Sequence, residues 1–230
     1  MSKLTKSHAL SLPVAFGDRI LARIASLFKH TTKASIDFSA ALTLIFLLFP
    51  LLLLIAAMIH YADGGPVLFR QVRVGRGGRQ FVCFKFRSMN MDSDRALKEH
   101  LEQNPSAARE WRENQKLTHD PRITRIGGLL RKTSLDELPQ VFNILLGQMS
   151  FVGPRPIVPD EIARYGESFS HCFSVQPGLT GLWQISGRSD CSYAQRISLD
   201  SRYANEWGLL LDAKILIRTV PAVLFQHGSR

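Results

Sequence analysis

From Phe38 to Ile59 the chain is almost unbroken apolar and carries no charged residue. At about 22 residues the run exceeds the roughly 20 a helix needs to cross a bilayer. Ahead of it, Ile20, Leu21, Ile24, Leu27 and Phe28 recur at helical spacing among Arg19, Arg23 and Lys29. That pattern fits a helix lying in a membrane interface or on a protein surface. After Gly64-Gly65-Pro66 the period changes. Val67 to Val74 and Gln80 to Phe86 are rich in β-formers and flank Gly75-Arg76-Gly77-Gly78, which predicts a β-hairpin. Asp92 to Leu117 is polar and helix-prone, broken at Asn104-Pro105. Ile123 to Leu130 leads to Arg131-Lys132, and Leu138, Val141, Phe142 and Leu145 mark the buried face of a following helix. Leu209 to Phe225 is apolar again, with Asp212, Lys214 and Arg218 interspersed, as in a helix resting on a membrane with snorkelling bases.

Two features bear on whether the long run spans. Pro50 sits near its middle and removes a helix hydrogen bond there, which kinks or breaks a helix. Its flanks are basic on both sides, with Lys29 and Lys33 before it and Arg70, Arg73, Arg76 and Arg79 after it. A simple span shows a charge asymmetry. Symmetric flanks fit a hairpin that enters and leaves on the cytoplasmic side, although length and composition alone admit a span. The run begins too late for a signal peptide, and no small-residue cleavage site follows it.

The 230 residues suffice for one domain plus an attachment, and the net charge of +10 calls for an anionic partner. Nucleic acid is disfavoured, because the chain has no helix-turn-helix, zinc site or regular aromatic-basic interleaving. Cys83, Cys172 and Cys191 have neither close pairing nor metal-ligand spacing, as expected of reduced thiols.

The chemistry concentrates at Ser134-Leu135-Asp136-Glu137-Leu138-Pro139-Gln140. Ser134 and Glu137 match a capping box, whereas Asp136 as N-cap places Pro139 harmlessly in the first turn. In either register the carboxylates lie near the positive end of a helix, which favours their ionised form. An acidic helix start is the plain alternative. Lys85 and Arg87 alternate onto one strand face and suit an anion or a solvated basic edge. Arg155, between Pro154 and Pro156, is presented on a stiff backbone, and its planar fork suits phosphate.

Taken in order, these motifs resemble those of the bacterial sugar transferase family, the monotopic phosphoglycosyl transferases. The likeness is carried by the Pro50-broken run, Phe84-Lys85-Phe86-Arg87-Ser88-Met89, Asp120-Pro121-Arg122-Ile123-Thr124, Thr133 to Gln140 and Met149 to Pro156. It continues through Pro177 to Gly181, Ser186-Gly187-Arg188 and Leu211-Asp212-Ala213-Lys214. The resemblance implies transfer of a sugar 1-phosphate from a UDP-sugar to undecaprenyl phosphate at the cytoplasmic face of a bacterial inner membrane, with UMP released. It implies Asp136 as the nucleophile of a phosphosugar-enzyme intermediate, and Glu137 as its partner and Mg²⁺ ligand. Lys85, Arg87, Arg131, Arg155 and Arg188 become candidates for the phosphates or uridine, with Asp212 a weaker one. Two departures stand out: Ala34 follows Lys33 where the family often has arginine, and Phe49 precedes Pro50 where it often has serine. The chain is expected to be the minimal form, without further N-terminal spans.

The expected architecture is α+β and mostly helical. An N-terminal amphipathic segment (1–33) precedes a re-entrant helix-break-helix hairpin (34–62). A cytoplasmic catalytic domain (63–230) follows, with its β-hairpin and an interfacial C-terminal helix, and anionic lipids and both substrates are the expected partners. A non-enzymatic adaptor binding anionic lipid is the competing reading; it explains the charge and the apolar run but not the carboxylate pair.

Overall fold

The computed structural model describes residues 16–114, 117–187 and 191–224. Helix α1 runs from Phe16–Asp63. The hairpin follows as predicted: β1 (Leu68–Val74) pairs antiparallel with β2 (Gln80–Phe86) through a short 3-10 turn in which Gly77 and Gly78 take positive φ. The polar excursion forms α2 (Ser93–Gln103) and α3 (Pro105–Asn114), divided where Pro105 begins a new helix. Next come α4 (Arg125–Thr133), α5 (Gln140–Leu145), β3 (Ser150–Val152), α6 (Ile162–Tyr165), α7 (Ser168–Cys172), β4 (Gly178–Thr180) and α8 (Leu182–Ile185). Helices α9 (Tyr193–Glu206) and α10 (Leu209–Leu224) close the described chain. Strands β3 and β4 pair in parallel, a feature the hydrophobic pattern did not announce.

Helix α1 differs from expectation. Helical geometry continues through Pro50, so the predicted break is absent, and the helix also crosses the expected boundary at residue 33 without interruption. A mid-helix proline costs about 3 kcal/mol, but packing on both sides of it outweighs that. Ala41, Leu44 and Ile45 join Phe81, Cys83, Val141, Ile144 and Met149 in one core. Leu51, Leu52, Ile55 and Ile59 join Phe86, Leu130, Leu135 and Leu138 in another. The opposite face is bare, with Phe46 81% and Leu47 65% exposed. Leu21, Ile24, Leu27 and Phe28 are exposed, as an interfacial helix requires, and so are Leu210, Ile217 and Val220 of α10. Ile215 and Asp212 form the inner side of α10.

Polar ties fix α1 at both ends of its apolar run. Lys33 Nζ lies 2.5 Å from Asp212 Oδ2 and 3.8 Å from Asp37 Oδ2. The Tyr203 hydroxyl is 2.7 Å from Asp212 Oδ1 and 2.9 Å from the Val152 carbonyl. At the other end Arg87 binds Asp63. Removing one partner of a buried ion pair strands the other charge. Lys33→Met is therefore expected to cost about 3 kcal/mol and lower the thermal midpoint by roughly 5–10 °C, read by differential scanning fluorimetry in detergent. An unshifted midpoint would show that the tie adds nothing.

Candidate active site

Helix α4 ends when Ser134 enters the left-handed region at φ 57°. That reversal launches a 3-10 turn, Leu135–Glu137, ahead of α5. Leu135 and Leu138 pack into the core under α1, which holds Asp136 and Glu137 between two apolar anchors. Neither capping register forms. Ser134 makes no side-chain cap, and the N-cap of α5 is Pro139, whose missing N–H costs nothing there. The surroundings of Asp136 work against the expected stabilisation of its ionised form. Burial pushes its carboxyl up, the neighbouring Glu137 charge adds to this, and Lys85 and Arg131 oppose it.

Lys85 Nζ donates to Glu137 Oε1 at 2.6 Å, and Arg155 Nη2 stands 3.7 Å from the same oxygen. Strand β2 delivers Lys85 because Asn143, wholly buried on α5, clamps it. Phe84 N donates to Asn143 Oδ1 at 3.0 Å, and Asn143 Nδ2 donates to the Val82 carbonyl at 2.7 Å. Asn143 escaped the sequence reading, although a polar residue inside an otherwise apolar helix face was the available signal.

Arg155 is held by a close crossing of two loops. Gly153 N donates to the Thr180 carbonyl at 2.9 Å, and Gly178 N donates to that of Pro154 at 2.8 Å. A Cβ on Gly153 would lie 2.2 Å from the Gln176 carbonyl oxygen, so only glycine permits this approach. Asp200 accepts from the Arg155 backbone and, at 2.7 Å, from the Tyr165 hydroxyl. Burial pushes the Asp200 carboxyl up to about 6. The Arg155 guanidinium sits 5.5 Å from the Trp183 ring centroid.

The structure thus gathers Asp136, Glu137, Lys85, Arg131 and Arg155. Arg87 is engaged by Asp63 at the end of α1, and Asp212 by Lys33 and Tyr203. Arg188 lies outside the described residues. Carboxylates hemmed by cations, with a stiffly held arginine at ion-pair distance, form an arrangement able to attack and bind a phosphoryl group.

A family model for bacterial sugar transferases matches residues 28–226. The chain belongs to that family. It is 46% identical over 198 residues to the exopolysaccharide production protein ExoY of Sinorhizobium fredii, covering 86% of this chain and 88% of that protein. It is also similar to the undecaprenyl-phosphate galactose phosphotransferase of Salmonella typhimurium, at 44% identity over 92% of this chain and 44% of that one. The UDP-glucose:undecaprenyl-phosphate glucose-1-phosphate transferase of Xanthomonas campestris is 40% identical over 79% of this chain and 36% of its own length. As a sugar transferase of this family the chain is a phosphoglycosyl transferase.

In such an enzyme Arg155→Lys should not preserve function, because lysine keeps the charge and loses the fork. The expected loss in kcat/KM is roughly tenfold to a hundredfold, on the order of one charge-assisted hydrogen bond. Parental turnover by the lysine variant would make Arg155 structural or peripheral.

Proposed function

We propose that this chain transfers a sugar 1-phosphate from a UDP-sugar to undecaprenyl phosphate, as a first membrane step of polysaccharide or glycan assembly. The observation that carries the reading is the Asp136-Glu137 pair, anchored between Leu135 and Leu138 and facing Lys85 and Arg155. The activities for which the Salmonella and Xanthomonas relatives are named support the donor and acceptor classes. An Asp136 carboxylate oxygen attacks the sugar-bearing phosphorus and forms an O–P bond. The bond to the UMP oxygen breaks, and its electron pair leaves with UMP. An oxygen of the lipid phosphate then attacks the same phosphorus and returns the electron pair to Asp136. Lys85, Arg131 and Arg155 offset the charge of the donor, and the partly desolvated Asp136 has little water to shed before attack.

Among the described residues no cluster of three or more His, Cys, Asp or Glu could hold a metal. Mg²⁺ in phosphate chemistry commonly takes one or two carboxylates and completes its shell with phosphate oxygens and water. The adjacent carboxylates suit that mode, with Glu137 the ligand, and the ion would supply charge neutralisation on the diphosphate.

The apolar helix is proposed to sink its exposed face into the membrane from the cytoplasmic side, with both of its ends staying on that side. Residues from Ala41 to Ile59 pack along the same domain that holds Lys33 and Asp63, while the opposite face of α1 stays apolar and exposed. A spanning helix would carry one end away from that domain. Single cysteines near Ser7 and Gly228, in a background lacking Cys83, Cys172 and Cys191, should both be shielded from an impermeant reagent in intact cells. External labelling near Ser7 alone would mean a span.

The activity itself is tested by UMP release over a panel of UDP-sugars with undecaprenyl phosphate. Release with at least one sugar, dependent on Mg²⁺, is expected. Its absence with every sugar would favour the lipid-binding adaptor.

A further inference from the structure

Arg196, on α9, is only 8% exposed. A buried guanidinium needs its donors met. Nη1 reaches Glu161 Oε1 at 3.4 Å, while Nε is 3.9 Å from Asp200 Oδ2, too far for a hydrogen bond. Nε and Nη2 have no hydrogen-bond partner among the described residues, and neither has the buried indole N–H of Trp183. The Arg196 guanidinium lies 5.1 Å from the Trp183 ring, against 5.5 Å for that of Arg155. A third guanidinium shares this region. Arg73 donates to the Pro156 carbonyl at 3.2 Å, and burial, then Arg155, with Arg196 adding, hold its pKa below the usual arginine range. Cations gathered with open donors favour an anion among them.

The order of these groups gives a direction. Glu137 meets Arg155, Arg155 meets Trp183, and Trp183 meets Arg196. In-line displacement puts the leaving group opposite the nucleophile, where charge grows as the diphosphate breaks. We infer that Arg196 and the Trp183 indole N–H receive the phosphate of the departing nucleoside monophosphate, on the far side of Arg155 from the carboxylate pair. This rests on the proposed transfer from a UDP-sugar. Glu161 and the tyrosine rings near Arg196 explain where the guanidinium sits, but they leave two of its nitrogens open.

The test is calorimetric titration of UMP and of uridine onto the full-length protein in detergent, for the parent, Arg196→Lys and Trp183→Phe. UMP affinity should fall roughly tenfold in each variant, as for one lost charge-assisted hydrogen bond. Uridine affinity should hold, so the UMP-to-uridine ratio falls by the same factor. Trp183→Phe keeps an aromatic ring beside the guanidinium groups and removes the N–H donor, and it carries the test if Arg196→Lys does not fold. An unchanged ratio in a folded Trp183→Phe, with UMP bound by the parent, overturns this inference alone. Failure of the parent to bind UMP overturns the transfer reading beneath it.

Discussion

Asp136→Asn is expected to abolish turnover, by at least about a thousandfold, while leaving the fold intact. The amide keeps the shape of the side chain but cannot attack phosphorus. Stability should hold or rise, because Leu135 and Leu138 anchor the turn and Asp136 itself caps nothing. Its carboxyl is raised by burial and then by Glu137, so the fold favours its protonated form. A raised carboxyl gives a stability contribution that grows as pH falls through the window between its unfolded and folded pKa, and shrinks as pH rises. Asparagine removes that pH dependence. Activity runs the other way, since attack needs the ionised form. The acid limb of kcat/KM should therefore lie above the ordinary aspartate range near 3.9. Lys85→Met, which removes an opposing charge, should move that limb higher. Near-parental turnover of Asp136→Asn in the UMP-release assay would end the nucleophile assignment.

Gly153→Ala is expected to damage both fold and activity. The added Cβ meets only backbone, at 2.2 Å from the Gln176 oxygen, 2.8 Å from Gly178 N and 3.0 Å from Pro177 C. Backbone cannot swing aside as a side chain can. The loops must part, at the expense of the Gly153–Thr180 and Pro154–Gly178 hydrogen bonds. Overpacking and lost bonds together should cost about 3 kcal/mol. Arg155 moves with its loop, and a shift on the order of 1 Å costs about a hundredfold in rate. Gly208→Ala is the control, because nothing lies within 4 Å of its added carbon. Equal stability and activity in the two variants would mean that the loop crossing is not what positions Arg155.

Elements with strong local signals were legible in the sequence. The glycine-flanked hairpin, the helix pair divided at Pro105 and the amphipathic C-terminal helix lie where pattern and turn chemistry put them. The carboxylate pair and Arg155 were legible as motifs, but their setting was not. The reversal at Ser134 is a left-handed serine, a conformation that no propensity announces. Strands β3 and β4 have three residues each, too short to show a period, and they are held by glycine contacts between loops far apart in sequence. Pro50 predicts a break, yet long-range packing on both sides carries the helix through it. Arg196 sits in an ordinary polar helix, and only the tertiary approach of Trp183 and Arg155 gives it meaning.

The central claim is a two-step transfer through Asp136, and its most direct test omits the lipid. The purified protein is mixed with Mg²⁺ and a UDP-sugar that supports turnover, without undecaprenyl phosphate, and followed by rapid quench and intact mass. The account predicts a burst approaching one UMP per protein and a sugar-phosphate adduct on the peptide containing Asp136, both absent from Asp136→Asn. UMP release that begins only when the lipid acceptor is added, with no adduct at any time, would contradict it.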